Sequence, residues 1–184
     1  MVKKIAIIGT HSAGKTTLSY LLAAKFKKEN HNVKIIQEVA RSCPYALNEG
    51  MSWQACLWIY HEHMRKEIEA MQKFDTIICD RSCIDSFIYA EVKGCFHLDP
   101  GEIDHNFAAA CKWMESYNKI IYVKPNGMLP VDDGVRSTDV EFQKKVEFMF
   151  DIWMQKYGVL YGVHTISSEL IFDDAKISDI YKLL

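Results

Sequence analysis

No stretch of this chain approaches the roughly 18 consecutive apolar residues of a membrane span, so none is expected. Its six cysteines, Cys43, Cys56, Cys79, Cys83, Cys95 and Cys111, form no C-x-x-C pair. Runs such as Ile77-Ile78-Cys79 place them instead as reduced core residues. Charge of one sign is also missing, because 22 Lys and Arg stand against 24 Asp and Glu for a formal net charge of -2. The basic residues are dispersed rather than massed, which excludes the electrostatic footprint of a duplex nucleic-acid or anionic-membrane binder and leaves small polar or phosphorylated partners. There is no internal repeat and no low-complexity linker. The only Pro/Gly/Asp-rich stretch of note, Pro125 to Gly134, follows a strand pattern and is expected to be a loop rather than a boundary. The first apolar run, Ile5 to Ile8, is too short for a leader segment, so a cytoplasmic location is expected. With 184 residues and 49% hydrophobic content the chain can bury a full core as one domain spanning 1–184.

What the chain does have is the octapeptide Gly9-Thr10-His11-Ser12-Ala13-Gly14-Lys15-Thr16, a complete G-x-x-x-x-G-K-[ST] phosphate-binding loop. An apolar strand pattern precedes it, and Leu18, Leu21, Leu22 and Phe26 follow at helical spacing, which is the strand-loop-helix context the motif requires. Gly9 and Gly14 allow tight turns that bring backbone N-H groups close to phosphate oxygens, and the following helix offers its free N-terminal donors. Lys15 supplies a point charge for the β- and γ-phosphates, the Thr16 hydroxyl a ligand for Mg²⁺, and Thr17 a donor towards the α-phosphate. His11 either contacts a phosphate when charged or, as the simpler expectation, faces solvent from a variable loop position.

Five apolar strand patterns, Lys3-Ile8, Val33-Gln37, Thr76-Cys79, Lys119-Val123 and Val163-Ile166, alternate with helical patterns over 15–29, 52–72, 84–93, 102–116, 138–157 and 178–184. Ser52 is placed to cap the second helix, and Asp139 lies at the start of the fifth. This alternation predicts an α/β parallel sheet with helical crossovers. In such sheets ligands collect beyond the carboxyl ends of the strands, so the residues that follow each strand carry the functional argument.

After the second strand comes Glu38-Val39-Ala40-Arg41, where Glu38 is the candidate general base for an acceptor hydroxyl. Arg41 either binds the acceptor or pairs with Glu38. After the third strand comes Asp80-Arg81-Ser82. Asp80 would hold Mg²⁺ directly or through water, or else act on the acceptor, and Arg81 would clamp phosphate or acceptor oxygens with its planar fork. Arg136, behind Asp133 and Gly134, suits a lid at about 125–145 that closes over the triphosphate and stabilises the transferring γ-phosphoryl group. Lys144 and Lys145 either assist it or form a solvated helix face.

G-T-H-S-A-G-K-T, E-V-A-R, D-R-S and D-D-G-V-R in this order resemble the P-loop kinase-type ATPase family that contains the ribosylnicotinamide kinase domain of bifunctional NAD-biosynthesis proteins. The chain is more distantly similar to the deoxynucleoside and thymidylate kinases. The resemblance implies a P-loop three-layer sandwich with strand order 2-3-1-4-5 and ATP with Mg²⁺ as donor. It also implies Lys15 and Thr16 at the phosphates, Asp80 and Arg81 near metal and acceptor, and Arg136 in the lid. The resemblance does not deliver the acceptor; the expected class is a nucleoside, nucleotide or ribosylated metabolite such as nicotinamide riboside.

The segment from Cys43 to Tyr60 matches no pattern of that family. Its aromatics, Tyr45, Trp53, Trp58 and Tyr60, could stack on a ring, but Trp53, Leu57 and Tyr60 recur at helical steps and are more simply a core face. His61-Glu62-His63 fails as a metal motif, because a zinc-binding helix needs histidines at i and i+4 rather than i and i+2. A signalling GTPase is excluded: Asn118-Lys119-Ile120-Ile121 lacks the aspartate of N-K-x-D, and no D-x-x-G occurs. A regulatory ATPase without a small-molecule acceptor and a polynucleotide 5′-hydroxyl kinase stand as rivals. The sequence carries no signal for oligomeric state.

Overall fold

The computed structural model describes residues 2–95, 100–130, 134 and 137–184. The chain runs β1 (Lys3–Ile8), α1 (Lys15–Lys28), β2 (Val33–Ile36), α2 (Trp53–Met71), β3 (Thr76–Asp80), α3 (Cys83–Val92), α4 (Pro100–Met114), β4 (Lys119–Lys124), α5 (Val140–Tyr157), β5 (Val163–Ser167) and α6 (Asp174–Lys182). Short 3₁₀ turns cover Val39–Ser42, Asn48–Gly50 and Ser168–Phe172.

The strands form one parallel sheet in the order β2-β3-β1-β4-β5, as the resemblance implies. β1 sits at its centre, and its near-continuous apolar sequence follows from burial on both faces. Successive side chains of β1 alternate sides. Ile5 and Ile7 join Leu18, Leu22 and Phe26 of α1 and Ile177 and Ile180 of α6 in one apolar layer. Ala6 and Ile8 join Ile59 of α2, Phe87 of α3 and Val146 and Phe150 of α5 in the other. Helices on both faces of a parallel sheet make the three-layer sandwich. Fully burying an isoleucine such as Ile5 or Ile7 contributes about 1.5–3 kcal/mol, so the central strand is a firmly anchored platform.

Caps place the helix starts that face the carboxyl edge of the sheet. The Ser52 hydroxyl accepts from Ala55 N at 3.2 Å, and one Asp139 oxygen accepts from Glu141 N and Phe142 N at 2.8 and 3.2 Å. Ser82 and Asp85 form a reciprocal capping box at the start of α3. The last helix begins four residues before the sequence pattern suggests, because Asp173 caps it by accepting from Ala175 N and Lys176 N. β2 stops at Ile36, one residue short of the expectation, and β3 runs on to include Asp80. Among the described residues no helix is long and apolar enough to cross a membrane.

Candidate active site

The phosphate-binding loop joins the central strand to α1. Gly9 adopts φ 138°, and a Cβ there would lie 2.5 Å from the carbonyl oxygen of Val123, so only glycine lets the loop pass β4 this closely. Gly14, with φ 83°, is the N-cap residue of α1 and has no side chain to block the first-turn N-H groups. Those donors and the positive end of the helix dipole are the elements of an anion cradle.

Lys15 lies within that cradle, 5% exposed, with its Nζ donating to the Thr10 carbonyl. Burial and the neighbouring Arg81 charge lower its pKa to about 7, against the opposing pull of Asp80, Glu38 and Asp85. Thr16 Oγ1 donates to Asp80 Oδ2 at 2.5 Å. A hydroxyl and a carboxylate side by side at the loop suit Mg²⁺, which is held by few protein oxygens together with substrate phosphates. Among the described residues no cluster of three His, Cys, Asp or Glu side chains that could hold a metal is present.

Asp80 reaches this position through the register of the sheet: it pairs with Ile7 of β1, two residues before Gly9. The next residue turns sharply. Arg81 adopts φ 82°, a left-handed conformation that is strained for a side chain of this size, and its N-H donates to Ile7 O at 2.9 Å. The turn swings the guanidinium back across the loop. Arg81 Nε donates to Glu38 Oε1 at 2.5 Å, and Nη1 lies 3.3 Å from Gly9 O and 3.5 Å from Asp85 Oδ1. The group also sits over the Tyr89 ring, 5.2 Å from its centroid.

Glu38 takes a second cation on its other oxygen, Arg41 Nε at 3.1 Å. Burial alone would raise the Glu38 pKa, but Arg81, Lys15 and Arg41 outweigh it and hold the carboxyl at about 2. Asp85 shifts the other way, upward, because burial exceeds the pull of Arg81 and Lys15. Beside this cluster opens a small cavity of about 40 Å³. His11, Glu38, Arg81 and Asp85 form its polar end, and Leu47, Met51 and Ile59 contribute apolar wall. Phosphate loop and cavity therefore share a border at His11 and Arg81.

The sequence profile of the AAA domain family matches residues 4–166. The chain belongs to the AAA domain family. No curated protein matches it in sequence. Its fold is shared by deoxyadenosine kinase from M. mycoides with bound dCTP, at 18% identity and TM-score 0.70 over 98% of this chain and 97% of that one. Thymidylate kinase from Ehrlichia chaffeensis is similar at 19% identity and TM-score 0.65 over 100% and 99% of the two chains. The NadR protein in complex with NR is similar at 16% identity and TM-score 0.67, over 98% of this chain but 49% of that protein.

This AAA domain brings Lys15, Thr16, Glu38, Arg41, Asp80 and Arg81 to one edge of the sheet. Arg136, Asp132 and Asp133 lie outside the described residues. Lys144 and Lys145 are exposed, and Lys144 pairs with Glu141 at 2.8 Å, so they form a solvated face away from the loop. The expectation of a solvent-facing His11 is wrong. The residue is 1% exposed, stacked on Phe142 with its ring nitrogen Nδ1 3.0 Å from the Tyr89 hydroxyl, because α3 and α5 close over that part of the loop. Its backbone N-H also donates to Tyr89 at 2.9 Å.

The aromatics behave as a core face. Trp53 and Tyr60 are buried and meet Phe87 edge-on, Leu57 and Trp58 are half-buried, and Tyr45 is exposed. The cavity wall is made instead from Leu47, Met51, Ile59 and Tyr89, which the sequence leaves inconspicuous, together with His63 of the failed metal motif. One signal was available in the four-residue step from Ile59 to His63, which puts both on the same face of α2.

Proposed function

We propose that this AAA domain is an ATP-dependent kinase, formed by the whole chain as one domain, that transfers the γ-phosphoryl group to a nucleoside, nucleotide or ribosylated metabolite such as nicotinamide riboside. The observation that carries this reading is the half-apolar cavity that opens directly from the phosphate loop, with Arg81 touching both Gly9 of the loop and Glu38 of the cavity wall. A switch that only hydrolyses its nucleotide has no need of an apolar-walled cavity joined to the phosphate loop by a buried arginine. Deoxyadenosine kinase, thymidylate kinase and NadR, which share the fold, are consistent with it. A cytoplasmic site of action and a lid over 125–145 carrying Arg136 belong to the same reading.

Chemistry follows from the geometry. Backbone donors of Ser12 to Thr17 and the Lys15 side chain would hold the ATP phosphates, while Thr16 and Asp80 would hold Mg²⁺. The metal supplies charge neutralisation between the β- and γ-phosphates when bound. Glu38 and Arg81 would receive the acceptor, with one Glu38 oxygen turning from an arginine to the reacting hydroxyl. The acceptor oxygen forms a bond to the γ-phosphorus, the bond from that phosphorus to the β-γ bridging oxygen breaks, and the acceptor proton passes to Glu38. Asp80 is the rival base, but its carboxylate is committed to Thr16 and it does not line the cavity. A carboxyl as acidic as Glu38 accepts the proton late, which suits a loose transition state in which positioning and charge matter more than early deprotonation.

The test is incubation with γ-labelled ATP, Mg²⁺ and a panel of nucleosides, nucleotides and nicotinamide riboside. Label is expected on an acceptor, and a Lys15→Ala variant that still folds is expected to transfer none. Release of label only as free phosphate would favour a regulatory ATPase instead.

A further inference from the structure

Behind the cavity lies a buried polar cluster that phosphoryl transfer does not use. Glu67 of α2 is fully buried and receives four donors. His63 Nδ1 lies 2.8 Å from Oε1, and the Tyr117 hydroxyl donates to the same oxygen. Lys4 Nζ and Trp113 Nε1 meet Oε2 at 2.5 and 2.9 Å. Lys4 is closed in further by the Ser116 hydroxyl at 2.7 Å and by the rings of Trp113 and Tyr117. Glu67 is thus an ionised acceptor whose charge Lys4 balances, and His63 Nδ1 must be the donor in their contact.

That fixes the other edge of the ring. His63 is 1% exposed and lines the cavity, and its Nε2 has no hydrogen-bond partner among the described residues. In the neutral ring, with the proton committed at Nδ1, Nε2 carries the lone pair. A buried polar atom without a partner carries an uncompensated desolvation cost. The cost is recovered when a ligand supplies a donor.

Resting on the kinase reading, we propose that His63 Nε2 selects acceptors whose ring system carries an exocyclic amino or carboxamide N-H, with Glu67 and Lys4 locking the tautomer that accepts it. His63 stands on a different element from Glu38 and Arg81, which take the reacting hydroxyl. The ring of the acceptor is read at His63 and its sugar at Glu38, with the apolar side chains of Met51 and Ile59 along the same cavity. The shared chemistry, an N-H₂ on a flat heterocycle, occurs in aminated nucleobases and in a pyridine carboxamide.

The experiment compares acceptors that differ in that donor at equal charge: adenosine with purine riboside, cytidine with its 4-deamino analogue, and nicotinamide riboside with 3-acetylpyridine riboside. Binding and kcat/KM are measured for the wild type and for His63→Leu and His63→Gln. In at least one pair the wild type is expected to favour the donor-bearing member by about 10- to 100-fold, and the responding pair identifies the source of the N-H₂. His63→Leu should erase that preference by weakening the donor-bearing member alone. His63→Gln, whose amide can donate to Glu67 and accept from the ligand, should restore part of it. A purely structural role would weaken both members equally. Phosphorylation with the same selectivity in all three proteins overturns the His63 assignment and leaves the kinase standing. Binding of no acceptor to the wild type overturns both.

Discussion

Lys15 should make ATP binding a proton-linked event. Its ammonium is buried beside Arg81 and titrates at about 7 rather than 10.5. A triphosphate seated in the loop surrounds it with negative charge and returns the pKa towards its ordinary value. Below pH 7 the amine is already charged and affinity is flat. Above it, each bound nucleotide must draw in a proton, and affinity falls by a factor approaching ten per pH unit. Between pH 6.5 and 8.5 the apparent Kd for Mg-ATP is expected to rise about 25-fold, or about 2 kcal/mol, since phosphate itself is fully ionised over most of that range. Titration calorimetry at pH 8.5 in two buffers of different ionisation enthalpy should register uptake of close to one proton per ATP. Lys15→Met should bind weakly at every pH and take up none. An affinity independent of pH, together with binding heats that do not depend on the buffer, would show that the Lys15 charge is intact in the free protein and refute the reasoning.

Asp80→Asn removes the carboxylate beside Thr16 and should weaken Mg²⁺ dependence of turnover by about 10- to 100-fold, read from a metal titration at saturating ATP. An unchanged metal curve would take Asp80 out of the metal site. Glu38→Gln should slow single-turnover transfer by about 10²- to 10⁴-fold at saturating substrates, whereas an unaltered rate would remove Glu38 as base. Glu67 is held at about 2 in the folded chain against a usual 4.5, so its contribution is complete above pH 4.5 and is lost as pH falls through 2. That contribution is about 3 kcal/mol, and urea midpoints measured from pH 6 to pH 2.5 should drop accordingly, with Glu67→Gln flattening the dependence. A wild-type midpoint that holds steady across this range would contradict it.

The donor half of the site was legible because its chemistry is local. A phosphate loop must be contiguous, so Gly9 to Thr17 carry their meaning in order and spacing, and the strand ends that deliver Glu38 and Asp80-Arg81 announce themselves by an apolar run closing on a charge. Even here the sequence misplaced His11. Burial of a loop side chain depends on which helix tops it, and α3 and α5 are contributed from more than 70 residues away, as the contact with Tyr89 shows. The cavity was illegible for the same reason enlarged. Leu47, Met51, Ile59 and His63 become a wall only when a 3₁₀ turn and α2 fold against α3, and apolar residues at helical spacing read identically whether they face a core or a cavity.

The residue that joins the two halves is also the one whose backbone is hardest to anticipate. Arg81 follows a β-strand, where an extended conformation would carry its side chain away from the loop. Instead it takes φ 82°, pinned by its N-H to Ile7 O, and its guanidinium folds back to Gly9 O and Glu38. Left-handed backbone at a large side chain costs of order 1–3 kcal/mol, which the surroundings must offset. The ionised Glu38, buried Asp85 and the Tyr89 ring do so by holding one cation between loop and cavity. A lysine in this place would lose the planar fork that lets a single charge touch a carbonyl and two carboxylates at once. Strain, charge pairing and position thus converge on one side chain at the border a phosphoryl group would have to cross.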